Sequence, residues 1–144
     1  MGASYWSDRG RFDGDPERAL TALKARVFAE NDYLWQDDET EPPDTLEELQ
    51  ETETFLEGGT HSVLDVHHFV GATGEDDFGT IRPLTDAELS AAFGTEEPSV
   101  AAFDELAKEN RLPYESLPRW SARCALLYDG DIAVELAIWG ISGD

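Results

Sequence analysis

Two apolar segments separated by Asp129-Gly130 constrain the fold of this chain more than any other feature of its sequence. The segments read SARCALLY before the dipeptide and DIAVELAIWGIS after it. Asp-Gly is a favoured central pair of a two-residue hairpin turn, so the pattern predicts antiparallel strands over 121–128 and 131–139. Both faces of this hairpin are largely apolar, and we therefore expect it in the centre of a sheet that helices cover.

One polar residue of the hairpin is not explained by its apolar faces. The predicted register places Glu135 opposite Cys124, within an apolar environment. A carboxylate in such surroundings requires a partner, and we expect an ion pair with Arg82 or Arg119.

Helix start and stop signals recur through the first two thirds of the chain. Asp15 followed by Pro16 combines an N-cap side chain with a proline at the first helical position. Asp44 with Glu47 has the spacing of a capping box, and Gly58 ends the apolar pattern that follows. These signals, together with apolar side chains at helical spacing, predict helices at 13–30, 44–57, 85–94 and 96–111.

Three further segments, 5–12, 60–70 and 80–84, are predicted to be strands. Pro83 cannot donate a hydrogen bond, so the last of them is expected at a sheet edge. With the hairpin, these elements predict a single α+β domain over residues 1–144. Its sheet should be mainly antiparallel, with about four strands and about four helices, and the C-terminal hairpin should be central.

All three histidines of the chain lie in the stretch GGTHSVLDVHHFV at 58–70. If residues 61–70 form a strand, alternate side chains share a face, and His67 and His68 point in opposite directions. His61 and His67 then lie about 20 Å apart, too far to share a metal ion. Asp65 and His67, at about 6.6 Å, are a weak candidate for an acid–base pair, with His61 as a further candidate catalytic residue.

A structural role is nevertheless the expectation for this stretch, because the chain has no zinc-type spacing such as HExxH or CxxC. No metal site and no other cofactor is predicted. The single cysteine, Cys124, lies in a predicted strand among Ala and Leu, where a thiol is usually an inert small hydrophobe. One cysteine forms no internal disulfide, and the sequence shows neither an apolar leader nor a membrane-length segment, so a cytoplasmic location is expected.

The charge of the chain is strongly unbalanced, with 32 acidic residues against 10 basic ones and a formal net charge of −22. Between Arg26 and Arg82 there is no Lys or Arg, and that stretch holds 16 acidic residues. Such a surface repels DNA, RNA and anionic lipid, so direct nucleic-acid or membrane binding is not expected. A basic protein is the partner that this charge favours.

Glu47, Glu48 and Glu51, on the predicted second helix, are the candidate partner-binding residues. Glu47 and Glu51 form a like-charge pair four residues apart, which costs a helix about 0.2–0.5 kcal/mol. Something other than helix stability therefore retains these pairs without a neighbouring lysine, and an interaction surface is one explanation. The alternative is adaptation to a high-salt host, where screening removes most of the repulsion.

Four stretches distributed along the whole chain resemble a family of small bacterial proteins, mostly actinobacterial, for which no activity is established. They are GASYW at 2–6, VFAENDY at 27–33, GTHSVLDV at 59–66 and WGISGD at 139–144. The resemblance implies that His61, Asp65, Trp139 and the final Gly-Asp are family features. It implies no catalytic residue.

Two functions are compatible with these observations. The first is a non-enzymatic binding or inhibitor protein, comparable to an immunity protein, which acts on a basic protein partner. The alternative is a small cytoplasmic enzyme that uses the face formed by His61, Asp65 and His67, with an acidity that reflects a high-salt host. The lack of a recognisable nucleophile, cofactor motif or metal-ligand spacing favours the binding protein.

Overall fold

The helices and strands were located in a computed structural model that describes residues 4–114 and 117–143. In chain order they are β1 (Tyr5–Arg11), α1 (Pro16–Ala29), α2 (Leu46–Gln50), α3 (Glu53–Gly58), a single 3-10 turn (Val63–Asp65), β2 (His68–Phe69), β3 (Thr80–Pro83), α4 (Asp86–Phe93), α5 (Val100–Lys108), β4 (Ala122–Asp129) and β5 (Ile132–Ile141). The α+β class is confirmed.

The five strands form one mixed sheet in the order β1-β5-β4-β3-β2. β5 pairs antiparallel with β1 and β4, whereas β3 is parallel to both β4 and β2. The sheet is therefore mixed rather than mainly antiparallel, and its five strands compare with an expectation of about four. The hairpin of β4 and β5 lies inside the sheet, as its apolar faces predicted.

β3 was expected at an edge because of Pro83, but β2 pairs with its first two residues. Pro83 lies beyond the end of β2, and the described residues place no other strand beside it on that side. The next backbone N–H, of Leu84, donates to the carbonyl of Cys124 at 3.0 Å. Because successive backbone groups alternate in direction, the nitrogen of Pro83 faces away from β4, and its missing hydrogen costs no ladder bond.

The turn of the hairpin is displaced from its predicted position. Asp129 pairs with Ile132, so the two loop residues are Gly130 and Asp131. Gly130 has a φ of +65°, while Asp131 is not among the residues with positive φ in the described part of the chain. A glycine at the first central position, with the only positive φ, agrees with a type II′ turn rather than the predicted type I′ turn.

A register shift between Leu127 and Tyr128 displaces the pairing of the hairpin further. Beyond the shift, Glu135 pairs with Leu127, so the predicted position opposite Cys124 is wrong. The expected ion pair does form, but its partner is Arg9 on the neighbouring strand β1, at 2.7 Å. The long-range pairing of β1 with β5 was not visible in the sequence, and this explains why Arg9 was missed.

Helices pack against both faces of the sheet. On one face, α1 buries Leu20, Leu23 and Val27 against Trp6 and side chains of the hairpin. On the opposite face, Phe103 of α5 packs with a second set of buried residues, namely Leu84, Leu112, Ala125, Leu127, Ala137 and Trp139. The hairpin thus contributes to two apolar clusters, one on each side of the sheet.

The predicted second helix is two short helices, α2 and α3. Thr45, not Asp44, caps α2, since its hydroxyl accepts from the backbone N–H of Glu48 at 3.2 Å. The hydroxyl of Thr52 donates to the carbonyl of Leu49 and accepts from the N–H of Phe55, so this residue ends α2 and starts α3. The helices predicted at 13–30 and 85–94 are found, whereas the one predicted at 96–111 is shorter and starts after Ser99.

The longest helix that the structure describes is α1, with 14 residues. Within residues 4–114 and 117–143, the structure contains no helix of the length and apolar character that crossing a bilayer requires.

The predicted strand at 60–70 is the largest error of the sequence analysis. Only His68 and Phe69 are in a strand, and Val63–Asp65 forms the 3-10 turn. His61 has a φ of +51°, which is left-handed backbone and incompatible with an extended segment. The distances and directions that the strand prediction assigned to the three histidines therefore do not apply.

Candidate functional site

Asp65 folds the segment between α3 and β2 into a tight turn. Its Oδ1 atom accepts hydrogen bonds from the backbone N–H of Thr60 at 2.7 Å and from the Thr60 hydroxyl at 2.9 Å. The φ of Gly59 is +77°, and a Cβ atom at this position would lie 2.5 Å from Oδ2 of Asp65. A glycine is therefore required beside the carboxylate. These local bonds compete successfully with strand formation.

The environment of Asp65 disfavours its charged form. The residue is 1% exposed, and burial raises the pKa of its carboxyl to about 6, although hydrogen bonds from Thr60 oppose the rise. In the described part of the chain, Oδ2 is buried without a hydrogen-bond partner. Asp65 therefore takes up a proton near pH 6, and its position indicates a structural role.

Lys24 of α1 contacts the same segment through its side chain. Its Nζ donates to the carbonyl of Val66 at 2.7 Å, and burial lowers the pKa of its amine. The nearby charge of Asp65 opposes this shift. Burial, followed by the charges of His68 and Lys24, lowers the pKa of the His67 imidazole. The backbone and charge of His61 also act on Asp65. Of the predicted trio, the structure thus brings His61 and Asp65 together.

His67 is directed to His68 instead of Asp65. The two Nδ1 atoms are 2.9 Å apart, and the ring centroids are separated by 4.8 Å. The salt bridges found among the described residues include none between His67 and Asp65. The prediction that His67 and His68 point in opposite directions is wrong, because the chain is not yet a regular strand at His67.

Two of the stretches that carry the family resemblance, 2–6 and 139–144, meet in space beside Gly58, the residue that precedes a third stretch. The backbone N–H of Ser142 donates to the carbonyl of Ser4 at 2.9 Å, and the backbone N–H of Gly143 donates to the carbonyl of Gly58 at 3.2 Å. Trp139 is fully buried, with its Nε1 donating to the carbonyl of Pro113. These hydrogen bonds lie next to the antiparallel pairing of β1 with β5. The final Asp144 lies outside the described residues.

An apolar pocket of about 440 Å³ opens where the first turn of α1, the end of β3 and the start of α4 meet over the central hairpin. Its walls include Phe69, Pro83, Leu84, Leu89, Leu126 and Leu136. A volume of this size, with mainly apolar walls, is typical of sites that accept a small ligand or an anchoring side chain.

The polar lining of the pocket has one sign of charge. Glu17, Asp86 and Glu96 are exposed carboxylates among the lining residues, and no Lys or Arg occurs among the lining residues that the structure describes. Because apolar walls of low dielectric strengthen the field of nearby charges, the mouth of the pocket attracts cations. The arrangement suits an occupant with an apolar body and positive charges beside it.

Cys124 also lines this pocket but is poorly suited to nucleophilic chemistry. The residue is 5% exposed, and burial raises the pKa of its thiol to about 12. The thiolate that would attack a substrate is therefore scarce at neutral pH. The expectation of an inert cysteine agrees with this environment.

Glu47, Glu48 and Glu51 are exposed, and none of them lines the pocket. Glu47 and Glu48 lie in the first turn of α2, where carboxylates interact favourably with the helix dipole. Glu51 is the C-cap residue of this five-residue helix. The like-charge repulsion assumed for a long helix is therefore offset in part. The retention of these glutamates is correspondingly weaker support for a partner surface at α2.

The pocket was missed in the sequence because its residues come from distant segments. Glu17 and Asp86 each lie in the first turn of a helix, where acidic residues are common without any binding role.

Groups of three or more side chains suited to a metal ion were not found among the described residues. Comparisons with models of known protein families, with curated proteins and with solved structures found no match to this chain.

Proposed function

We propose that this protein is a non-enzymatic binding protein that holds a basic protein partner, in the manner of an inhibitor or immunity protein. An apolar side chain of the partner enters the pocket over the hairpin, while neighbouring lysines or arginines lie against Glu17, Asp86 and Glu96. The observation that carries the proposal is the combination of apolar walls and an all-acidic mouth.

The apolar walls supply the binding energy in this proposal. An aromatic side chain that enters such a pocket removes about 150–250 Å² from water, which is worth roughly 4–6 kcal/mol before the cost of ordering the partner. The carboxylates at the mouth add specificity. The net charge of −22 accelerates the encounter with a basic protein and makes it sensitive to salt.

The chemistry of the candidate catalytic residues also supports binding over catalysis. Asp65 is buried and committed to the turn around Thr60, and His67 is directed to His68. Cys124 retains its proton. Two of the three residues that the alternative enzyme hypothesis uses, Asp65 and His67, are therefore engaged in other contacts, and the thiol of Cys124 is unreactive.

The exposed residues Glu47 and Glu48 on α2 and Glu51 at its C-cap remain a competing partner surface. Both surfaces contain three carboxylates, so a matched pair of triple variants separates them. One variant replaces Glu17, Asp86 and Glu96 by the corresponding amides, glutamine or asparagine. The other replaces Glu47, Glu48 and Glu51 by glutamine. Both variants change the net charge by the same amount.

The test uses a labelled synthetic peptide in which one phenylalanine is flanked by lysines and arginines, and a second peptide with alanine in place of the phenylalanine. Fluorescence anisotropy at low salt should show tighter binding of the phenylalanine peptide. The variant at the pocket mouth should bind about tenfold more weakly, equivalent to ~1.4 kcal/mol. The α2 variant should retain the affinity of the parent protein.

Equal affinity for the two peptides would refute a role of the pocket, since charge alone would then explain binding. A loss confined to the α2 variant would assign the partner surface to Glu47, Glu48 and Glu51. Binding to neither peptide at low salt would refute the proposed function.

A further inference from the structure

β1 presents a free strand edge. Among the described strands it pairs with β5 alone. On that side, the carbonyl of Ser4 accepts from the N–H of Ser142, and the N–H of Phe12 donates to the carbonyl of Val134. Because backbone groups alternate in direction along an antiparallel strand, the N–H and C=O groups of the odd-numbered residues of β1 point away from β5. These residues are Tyr5, Ser7, Arg9 and Arg11.

The free edge is open to further pairing. β1 is seven residues long, contains no proline, and pairs with β5 in a continuous register without a bulge. Proline and bulges are two of the features that keep natural edge strands from adding another strand. The outward carbonyl of Arg9 accepts from the Arg26 guanidinium at 3.0 Å. In the described part of the chain, the N–H groups of Ser7 and Arg9 form no backbone hydrogen bond.

A groove of about 590 Å³ lies beside this edge, between α1 and α5. Ser7, Asp8 and Arg9 line it from β1, Arg26 lines it from α1, and Lys108 lines it from α5. Because α1 and α5 pack on opposite faces of the sheet, Arg26 and Lys108 flank the strand edge from opposite faces. The groove therefore has space and hydrogen-bonding groups for one more strand, with a cation on each side of it.

The charge of the groove differs from that of the rest of the chain. Its lining holds three cations against two carboxylates, whereas the whole chain has 10 basic and 32 acidic residues. Arg9 is bound to Asp104 and to Glu135, each at 2.7 Å. Arg26 and Lys108 are exposed, and the salt bridges found among the described residues include neither of them. These two cations are available to carboxylates of a partner.

We propose that the free edge of β1 binds an extended segment of a partner protein as an additional strand, and that this segment carries two adjacent acidic residues. The outward backbone groups of β1 pair with the backbone of the segment, as in other cases of β-strand addition. Neighbouring side chains of a strand point to opposite faces of a sheet. Two adjacent carboxylates therefore reach Arg26 on one face and Lys108 on the other.

A second copy of this chain suits the edge less well than an acidic segment of another protein does. β1 has the sequence YWSDRGR, which contains no adjacent acidic residues. A second copy also brings a net charge of −22 with it, which opposes association. The apolar pocket shares no lining residue with the groove and includes Phe69 of β2, at the opposite edge of the sheet. Strand addition at β1 is therefore separate from the proposed partner site.

The probe is a labelled nine-residue peptide of alternating threonine and valine with two adjacent glutamates at its centre. The full chain is titrated into it at about 0.15 M salt, where the field of remote carboxylates is screened, and fluorescence anisotropy reports binding. A peptide with two glutamines at the centre should bind about three- to tenfold more weakly. Saturating glutamate peptide should also slow hydrogen exchange of the Ser7 and Arg9 amides, measured by NMR.

Ser7→Pro tests the backbone pairing. It removes an outward N–H but no hydrogen bond to β5, so the fold should be retained, and the affinity for the glutamate peptide should fall at least tenfold. Ser7→Ala keeps the N–H and is the matched control, with the affinity of the parent protein. Lys108→Gln changes an exposed side chain, and it carries the test if Ser7→Pro fails to fold. It should weaken binding of the glutamate peptide about threefold and leave the glutamine peptide unaffected.

Each of several outcomes would overturn the assignment. They are no binding of the glutamate peptide, equal affinity for the two peptides, undiminished binding in a folded Ser7→Pro variant, and an effect of Lys108→Gln that is the same for both peptides. Loss of binding in the triple variant at the pocket mouth would place the peptide in the apolar pocket instead. A dimer in analytical ultracentrifugation that Ser7→Pro abolishes would assign the edge to a second copy of the chain.

Discussion

Replacement of Asp65 by asparagine should remove a defined part of the pH dependence of stability. Burial raises the pKa of Asp65 to about 6 in the folded protein, against about 3.9 for an aspartate in an unfolded chain. Each unit of difference corresponds to about 1.4 kcal/mol, so proton uptake by Asp65 stabilises the fold by on the order of 3 kcal/mol. No discount for solvent screening applies, because the residue is 1% exposed.

The sign of the effect follows from the direction of the shift. Because the folded protein binds this proton more tightly than the unfolded chain does, the stabilisation is complete below about pH 4 and is lost as pH rises through about 6. Asp8, whose pKa burial also raises to about 6, contributes in the same direction. The parent protein should therefore lose stability as pH rises through this range.

Urea unfolding over a pH series measures the effect directly. Asp65→Asn retains a side-chain oxygen for the bonds from Thr60 but cannot titrate. Its stability relative to the parent should improve by on the order of 3 kcal/mol between about pH 4 and pH 7. Asp38→Asn, at an exposed position, is the control and should follow the parent. Parallel curves for the parent and Asp65→Asn would refute the account of this carboxylate.

Three further predictions concern stability and are measured by chemical or thermal unfolding. Gly130→Ala should destabilise the hairpin by about 1 kcal/mol, because φ is +65° and no atom crowds the new methyl group. Gly59→Ala should lower the free energy of unfolding by ~1–3 kcal/mol more than Gly130→Ala does, because its Cβ would also overlap Asp65. Equal losses in the two variants would contradict this effect of crowding. Asp76→Asn should cost about 3 kcal/mol, because it leaves the 6%-exposed Arg123 without its carboxylate partner, and a loss below ~1 kcal/mol would show that this ion pair is unimportant. The melting temperature should rise from low salt to molar KCl as carboxylate repulsion is screened, and an unchanged value would exclude salt adaptation as the cause of the acidity.

Local structure was predictable from the sequence where a few neighbouring residues decide it. Asp15 accepts from the backbone N–H of Glu17, and Pro16 starts α1, as the local signals predicted. The central position of the hairpin also followed from its apolar faces. Its register did not, because the shift at Leu127 and the partner of Glu135 depend on strands distant in sequence.

The segment containing the histidines shows why an apolar pattern was not sufficient. Val63, Leu64 and Val66 are buried as strand residues would be, but the hydrogen bonds of Asp65 to Thr60 fold the chain into a turn. The burial of individual residues was therefore predictable, whereas the backbone path was not. The same limit applied to the helix predicted at 44–57, which is two separate helices, α2 and α3, and in which Leu56 is 56% exposed.

The pairing of β1 with β5 has a consequence for the order of folding. Tyr5 pairs with Ile141, so among the described strands β1 bonds to β5, which follows all the others in chain order. A ribosome-bound chain consequently carries β1 without its sheet partner until β5 emerges. The connection to be closed spans nearly the whole chain, and contacts of this range slow folding relative to helical bundles. We expect the local β4–β5 hairpin to form first and β1 to join it afterwards, which makes the N-terminal strand the late step in completing the sheet.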